Sequence, residues 1–224
     1  MSNLDMLARI EAIGIVPAVR TSSAEDALFA SEAVFTGGIP VVEITLTIPG
    51  AIDVIAQLVR SDGDVIVGAG SVFDVDSAQR CLDAGASFLT STGLDPAIVA
   101  FAHAHHMPMI PGALTPTEIM MSKRAGAAFI KVFPCSSVGG PAYIRAMRGP
   151  FPDTRFIASG GVTQQTAADY IRAGANVLGI GHDLLPNDAV KARNLGWIHE
   201  LARRFLGMVK HSRETSKHIQ HHAD

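Results

Sequence analysis

The amino-acid sequence predicts an α/β fold, specifically a closed (β/α)8 TIM barrel. Short runs rich in β-branched residues alternate with longer segments of helical pattern along the 224 residues. The helical segments tend to end in glycine, as at Gly85, Gly126 and Gly174, which is typical of helix C-termini. Eight strand–helix units with short connections are what a closed barrel requires. An open, doubly wound parallel sheet is the alternative, and both the count and the even spacing favour the barrel.

The predicted strands are short, and a helical segment follows each of them. The strands are predicted at residues 15–19, 41–46, 65–67, 88–91, 109–110, 127–134, 155–158 and 177–180. The helices are predicted at residues 24–35, 51–60, 75–84, 96–105, 115–126, 141–147, 164–173 and 189–208. Asp95 is a good N-cap residue, and Thr115 with Glu118 has the spacing of a capping box.

Composition indicates one domain over residues 1–209, followed by a polar tail over residues 210–224 that we expect to be mobile. A net charge of −3 provides no basic field for nucleic acid. No apolar run approaches the roughly 18 residues that a membrane span needs. The acidic N-terminal segment lacks the apolar core of a signal peptide, and two cysteines form no disulfide framework. We therefore expect a cytoplasmic protein without nucleic-acid or membrane partners.

Lys131 lies in the middle of the apolar segment 127–134, which is rich in strand-forming residues. Such a segment is typical of a strand buried on both faces. Lysine is rarely buried unless it is paired or chemically active, because burial disfavours the ammonium form. A desolvated lysine is the group that attacks carbonyl carbons to form a Schiff base. The alternatives are a structural ion pair and a lysine whose amine reaches solvent.

Polar side chains collect where the first four strands end, at the edge where barrel enzymes place their chemistry. Glu43, Thr45 and Thr47 share one face of the second strand by period-2 alternation. Glu43 near Lys131 is a candidate general acid/base, or else half of a structural ion pair. The other candidates at this edge are Arg20 as an anion-binding fork and Ser71 and Thr92 as hydroxyl ligands. These three could also be ordinary helix-capping residues.

Glycines follow the last two strands, where barrels commonly bind phosphate. Gly160 and Gly161 come after the seventh strand, and Gly181 and His182 come after the eighth. Backbone N–H groups can approach an anion at such glycines, although tight turns use glycine as well. His182 could donate to the anion or be structural. No group of His, Cys, Asp and Glu has metal-ligand spacing, so we expect neither a metal nor a cofactor.

Five motifs in this order closely resemble the 2-dehydro-3-deoxy-phosphogluconate (KDPG) and 4-hydroxy-2-oxoglutarate aldolases. They are Val42-Glu43-Ile44-Thr45-Leu46, Gly68-Ala69-Gly70-Ser71, Ile110-Pro111-Gly112, Phe129-Ile130-Lys131-Val132-Phe133-Pro134 and Ser159-Gly160-Gly161-Val162. The resemblance runs from about Ile15 to Pro186. It implies a class I aldolase on a homotrimeric barrel, with Lys131 as the Schiff-base lysine and Glu43 as the proton shuttle. Phe133 would pack beside the imine and exclude water.

The chain departs from this resemblance at substrate-binding positions. Thr47 stands where gluconate-type members carry an arginine for the substrate carboxylate, and we expect Arg20 to take that role. The alternative is that the hydroxyls of Thr45 and Thr47 bind the carboxylate. Thr92 replaces a proline in the turn after the fourth strand. His182, followed by Asp183, replaces the serine near the phosphate.

The resemblance implies cleavage of a 2-keto-3-deoxy sugar acid to pyruvate and an aldehyde. 2-Dehydro-3-deoxy-6-phosphogluconate, which gives glyceraldehyde 3-phosphate, is the substrate that it favours. The 6-phosphogalactonate analogue, 4-hydroxy-2-oxoglutarate and a non-phosphorylated acid are alternatives. A sugar-phosphate isomerase or epimerase would also use Gly160 and Gly161, but it would not need an inward lysine. A ligand-binding barrel without catalysis is the third hypothesis.

Overall fold

The computed structural model describes residues 2–61 and 63–221, and it describes side chains as far as residue 215. Nine parallel strands form one sheet in the order β5-β4-β3-β2-β1-β9-β8-β7-β6. The strands are β1 Ile15–Val19, β2 Val41–Thr45, β3 Ile66–Gly70, β4 Phe88–Thr90, β5 Met109–Ile110, β6 Gly112–Ala113, β7 Ile130–Val132, β8 Phe156–Ser159 and β9 Val177–Ile180. The predicted α/β barrel is confirmed.

The structure has nine strands where eight were predicted, because the fifth barrel strand is divided at Pro111. β5 pairs with β4, and β6 pairs with β7, so the two halves are the opposite edges of the sheet. Proline has no N–H to donate to a strand ladder. Its carbonyl nevertheless accepts from the backbone N–H of Lys131 at 2.9 Å, and the N–H of Gly112 donates to the carbonyl of Gly93 at 3.3 Å. These bonds close the barrel across the proline.

Helices surround the barrel and cover the outer faces of its strands. They are α1 Asn3–Ile13, α2 Ala24–Thr36, α3 Ala51–Arg60, α4 Val75–Asp83, α5 Pro96–Ala104, α6 Pro116–Arg124, α7 Pro141–Arg148, α8 Ala167–Arg172, α9 Asn187–Lys191 and α10 Leu195–His221, with a short 3-10 helix at Cys135–Val138. The predicted caps are confirmed: Asp95 accepts from the N–H of Ala97, and Thr115 with Glu118 forms a capping box.

The two ends of the chain differ from the predicted elements. The segment before β1 is helical, and Ser2 forms a capping box with Asp5 at its start. The last predicted helix is two helices, α9 and α10, separated by Arg193, which has φ 51°. The tail that was predicted from residue 210 lies within α10 as far as His221, and its remaining residues, 222–224, lie outside the described residues.

The apolar core lies between the helices and the sheet, and the barrel interior is partly polar. Val42 and Ile44 face the helices and are fully buried. Glu43 and Thr45 alternate with them and point to the interior, as period-2 geometry requires. In the part of the chain that the structure describes, no helix is both long and apolar enough to cross a membrane.

Candidate active site

The centre of the site is a buried pair formed by Lys131 on β7 and Glu43 on β2. Lys131 Nζ donates to Glu43 Oε1 at 3.0 Å and lies 3.1 Å from Oε2. The two residues are only 6% and 4% exposed. A charge-assisted contact in such surroundings is stronger than in water. The structure therefore brings together the two residues that were predicted to carry the chemistry.

Neighbouring side chains fix the position of this pair. Gly70 on β3 leaves room for the carboxylate, because a Cβ atom at this position would lie 2.2 Å from Glu43 Oε1. Thr90 Oγ1 on β4 lies 3.4 Å from Lys131 Nζ. The ring of Phe133 has its centroid 5.8 Å from the same nitrogen. Phe133 thus covers one side of the amine and limits its access to water.

A cleft of about 380 Å³ opens at the carboxyl ends of the strands, and Lys131 and Glu43 lie among its lining residues. Eight further residues from the predicted site line the same cleft: Arg20, Ser71, Thr92, Phe133, Gly160, Gly161, Gly181 and His182. The structure places these side chains and backbone groups around one cavity, at the end of the barrel where the sequence located them.

Arg20 and Ser71 lie on the side of the cleft formed by β1 and β3. Arg20 is exposed, and among the described residues it has no hydrogen-bond or ion-pair partner. Its guanidinium is therefore available for an anion. Ser71 is buried with φ 58°, in the left-handed region that is uncommon for residues other than glycine. Strained backbone of this kind clusters at functional sites.

Thr45 and Thr47 do not line this cleft. The hydroxyl of Thr45 donates to the carbonyl of Val19 at 2.9 Å and lies 3.1 Å from the hydroxyl of Thr47. Thr47 lines a neighbouring pocket that it shares with Phe73 and Arg80. Strand β2 ends at Thr45, so the period-2 alternation that placed Thr47 beside Glu43 stops before Thr47. The hydroxyls of both threonines therefore form hydrogen bonds with groups other than Lys131.

The loops after β8 and β9 also line the cleft, and because β9 pairs with β1, they adjoin the strand that ends at Arg20. Gly160 and Gly161 have φ values of 84° and 81°, which favour glycine. A Cβ atom on Gly161 would lie 2.1 Å from the hydroxyl oxygen of Ser136, so a side chain there would collide with the 3-10 helix. Consecutive glycines in these loops keep backbone N–H groups accessible to an anion.

Three residues at the site were not among the predicted site residues. Ser159 and Asn187 line the cleft, and Thr90 contacts Lys131. Asp183, noted in the sequence beside His182, also lines the cleft. Period-2 alternation on the fourth strand, applied from Phe88, would have indicated that Thr90 points inward. Asn187 is the first residue of α9, directly after the loop that follows β9, and no periodicity of the strand indicates the direction of its side chain.

Cys135 follows Lys131 by four residues and is the nucleophilic residue type nearest to it in sequence. Burial raises the pKa of the Cys135 thiol to about 11. The thiolate is the reactive form of cysteine, so a raised pKa makes this side chain a poor nucleophile. Cys135 is also absent from the residues that line the cleft, so it is no candidate for the nucleophile of this site.

A (β/α)8 barrel with a lysine–glutamate pair at the floor of this cleft is the arrangement of a barrel enzyme that forms a Schiff base, the class I aldolase type. Residues 6–201 match the family model described as KDPG and KHG aldolase. The chain belongs to this family of aldolases.

Individual relatives agree with this family membership. The 2-dehydro-3-deoxy-phosphogluconate aldolase of Treponema pallidum is 33% identical over 89% of this chain and 95% of its own length. The enzyme of that name from Pseudomonas aeruginosa is 34% identical over 92% of this chain and 96% of its own length. The crystal structure of KDPG aldolase from Legionella pneumophila holds pyruvate captured as a covalent carbinolamine. It superimposes with a TM-score of 0.79 at 31% identity, covering 86% of this chain and 95% of that one.

Proposed function

We propose that Lys131 is the Schiff-base nucleophile of this aldolase and that Glu43 transfers protons to and from the reacting atoms. The observation that carries this proposal is the contact of 3.0 Å between Lys131 Nζ and Glu43 Oε1 at the floor of the cleft. A carboxylate in contact with an amine can take its proton and return it to a substrate atom. The amine is also enclosed by Phe133, which keeps solvent away from an imine.

The first half of the reaction forms the Schiff base. Lys131 gives one proton to Glu43, and the neutral amine attacks the C2 ketone of the substrate. A C–N bond forms, the electron pair of the C=O π bond moves to oxygen, and Glu43 gives its proton to that oxygen. The Glu43 carboxylate then takes one proton from the attached nitrogen, which leaves the neutral carbinolamine and a protonated Glu43. Glu43 then protonates the hydroxyl, water leaves, and a protonated imine between Lys131 and C2 remains.

The second half breaks the carbon–carbon bond. The C4 hydroxyl gives its proton to the Glu43 carboxylate, the C3–C4 bond breaks, and its electron pair flows into the imine to give the pyruvyl enamine and an aldehyde. Glu43 is the acid that reprotonates C3 of the enamine. Water adds to the resulting imine, and pyruvate and free Lys131 are released. Protons and electrons balance without an external oxidant or reductant.

We propose 2-dehydro-3-deoxy-6-phosphogluconate as the substrate, with pyruvate and glyceraldehyde 3-phosphate as products. The names of the relatives support this choice, and so do the anion-binding groups of the cleft. Arg20 is an unpaired cation, among the described residues, that is available to hold the carboxylate. The backbone of Gly160, Gly161 and Gly181, with His182, is available to hold the phosphate. The 6-phosphogalactonate analogue, 4-hydroxy-2-oxoglutarate and a non-phosphorylated acid remain alternatives.

A substrate panel tests this proposal. Pyruvate release is measured with a coupled dehydrogenase on each of the four acids, with and without a metal chelator. We expect the highest kcat/KM with 2-dehydro-3-deoxy-6-phosphogluconate and no effect of the chelator. A higher kcat/KM with any of the other three acids would identify that acid as the substrate instead. Loss of all activity with the chelator would contradict the lysine-based mechanism.

We further propose a homotrimer in the cytoplasm. The resemblance of the five motifs to a trimeric family supports the assembly, and so do large apolar side chains left exposed on the single chain. Phe73 is 58% exposed, and Met120 and Met121 are 43% and 45% exposed. Light scattering should give three times the mass of one chain.

The cytoplasmic location is supported by the two cysteines. Cys81 and Cys135 are buried and unpaired, as is usual in a reducing compartment.

A further inference from the structure

Thr90 is a buried hydroxyl residue that contacts the reacting nitrogen and that no motif or comparison brings out. It lies at the end of β4, is 2% exposed, and does not line the cleft. Its Oγ1 lies 3.4 Å from Lys131 Nζ. No other hydrogen bond of this hydroxyl occurs within the described residues. Thr90 is therefore placed to act on Lys131 alone.

The hydrogen-bond donors of the amine explain why a second acceptor matters. An ammonium has three N–H donors. Here two of them are directed at the two oxygens of Glu43, at 3.0 and 3.1 Å, and Thr90 accepts the third. After one proton has moved to Glu43, the neutral amine keeps two N–H donors and one lone pair. Its nucleophilic attack requires that this lone pair, and not an N–H, point into the cleft.

We infer that Thr90 is a further catalytic residue, whose hydroxyl accepts one N–H of the neutral amine while Glu43 accepts the other and so leaves the lone pair directed at the C2 ketone. This inference rests on the proposed function of Lys131 as the Schiff-base nucleophile. The two acceptors come from different strands, β2 and β4, on which Glu43 and Thr90 are both buried. Without Thr90, rotation about the last bond of the lysine side chain is restrained by one contact only.

The step in which Thr90 acts is carbinolamine formation. The nitrogen lone pair forms the C–N bond, the carbonyl π electrons move to oxygen, and one nitrogen proton is transferred through Glu43 to that oxygen. Thr90 neither gains nor loses a proton, so it orients the amine and remains a neutral hydroxyl throughout. Its removal should slow imine formation and should affect the binding of substrate much less.

The test compares variants that separate the hydroxyl of Thr90 from its shape. Thr90→Val keeps the shape and removes the hydroxyl, Thr90→Ser keeps the hydroxyl, and Thr90→Ala is a second variant without it. Thr154→Val is the matched control, because Thr154 is a buried threonine with no hydrogen-bond partner, among the described residues, for its hydroxyl. The rate of imine formation with pyruvate is measured by quenching with borohydride and counting the reduced adduct by mass, alongside kcat and KM.

We expect Thr90→Val and Thr90→Ala to slow adduct formation and kcat by about tenfold, the upper end of the effect of one neutral hydrogen bond. KM should stay within about twofold, Thr90→Ser should restore most of the rate, and Thr154→Val should match the wild type. A wild-type rate in Thr90→Val, or an equally slow Thr90→Ser, would overturn this inference alone. A wild-type protein that forms no adduct at Lys131 would overturn the proposed function and this inference with it.

Discussion

Lys131 Nζ lies 3.0 Å from Glu43 Oε1 although 88 residues separate the two along the chain. Both side chains are more than nine-tenths buried, so water screens their charges weakly. A buried ion pair often adds little net stability, because desolvation of the two charges offsets their attraction. The location of this pair at the floor of a cleft favours a chemical role over a structural one.

Replacement of Glu43 by glutamine tests the proton-transfer role. Glu43→Gln keeps the size and a hydrogen-bond acceptor but cannot carry a proton at neutral pH. We expect kcat to fall by about 10²–10⁴-fold, the range for general acid–base catalysis, with the fold retained. Kinetics and circular dichroism measure the two effects, and Glu32→Gln on the exposed face of α2 is the control. A wild-type kcat, or loss of the folded state, would favour a structural ion pair.

Replacement of Arg20 tests what holds the anionic end of the substrate. A charge-assisted hydrogen bond contributes roughly 1.5–3 kcal/mol, so Arg20→Ala should lower kcat/KM by about ten- to a hundredfold. Trapping of saturating pyruvate on Lys131 should largely survive. Arg60→Ala, at an exposed position at the end of α3, is the control.

The competing hypothesis assigns the carboxylate to the threonine hydroxyls. Steady-state kinetics of Thr47→Ala beside Arg20→Ala decide between the two. Because the hydroxyl of Thr47 faces that of Thr45 and lines another pocket, we expect Thr47→Ala to have the smaller effect. A damaging Thr47→Ala beside a nearly silent Arg20→Ala would refute the assignment of Arg20.

The space beside Gly70 leads to a steric prediction. A Cβ atom there would lie 2.2 Å from Glu43 Oε1, so Gly70→Ala should displace the carboxylate from Lys131. We expect a fall in kcat of at least about tenfold and a loss of about 1–3 kcal/mol in the free energy of unfolding, as is typical of overpacking. Gly207→Ala, within α10, is the control, because a Cβ atom there would lie within 4 Å of no atom in the described part of the chain. Equal kcat values for Gly70→Ala and the wild type would contradict the observed packing.

The two cysteines should react slowly with thiol reagents. Burial raises the pKa of both Cys81 and Cys135 to about 11, so at pH 8 about one thiol in a thousand is ionised. Because each pKa is raised, reactivity should increase as the pH rises towards 11. The measurement is the rate of colour release with a disulfide reagent, compared between native and denatured protein. Rapid reaction of the native protein at pH 8 would show that one thiol is exposed or ionised.

The barrel and the central pair could be predicted from the sequence because both depend on local patterns. Strand alternation turns Glu43 inward, and the apolar surroundings of Lys131 identify a buried strand. In a parallel barrel the carboxyl ends of all strands meet, so residues far apart in sequence are brought together without any knowledge of loop geometry.

The predictions failed at positions where a strand ends or is interrupted. Thr47 was placed beside Glu43, but β2 ends at Thr45 and the chain turns before Thr47. Asn187 was not predicted because it follows a loop, and the direction of its side chain depends on tertiary packing. The division of the fifth strand at Pro111 depends on which neighbour each backbone group meets, and a single strand pattern does not contain that information.

The central claim is that Lys131 forms a Schiff base with the substrate ketone, and reductive trapping tests it most directly. The protein is incubated with pyruvate and borohydride, digested, and mapped by mass spectrometry, with Lys131→Ala as the matched variant. We predict one reduced pyruvyl group per chain, located on Lys131. Lys131→Ala should carry no such label and have no activity. Label on Lys123 or Lys210 in the wild type, or an active Lys131→Ala, would contradict it.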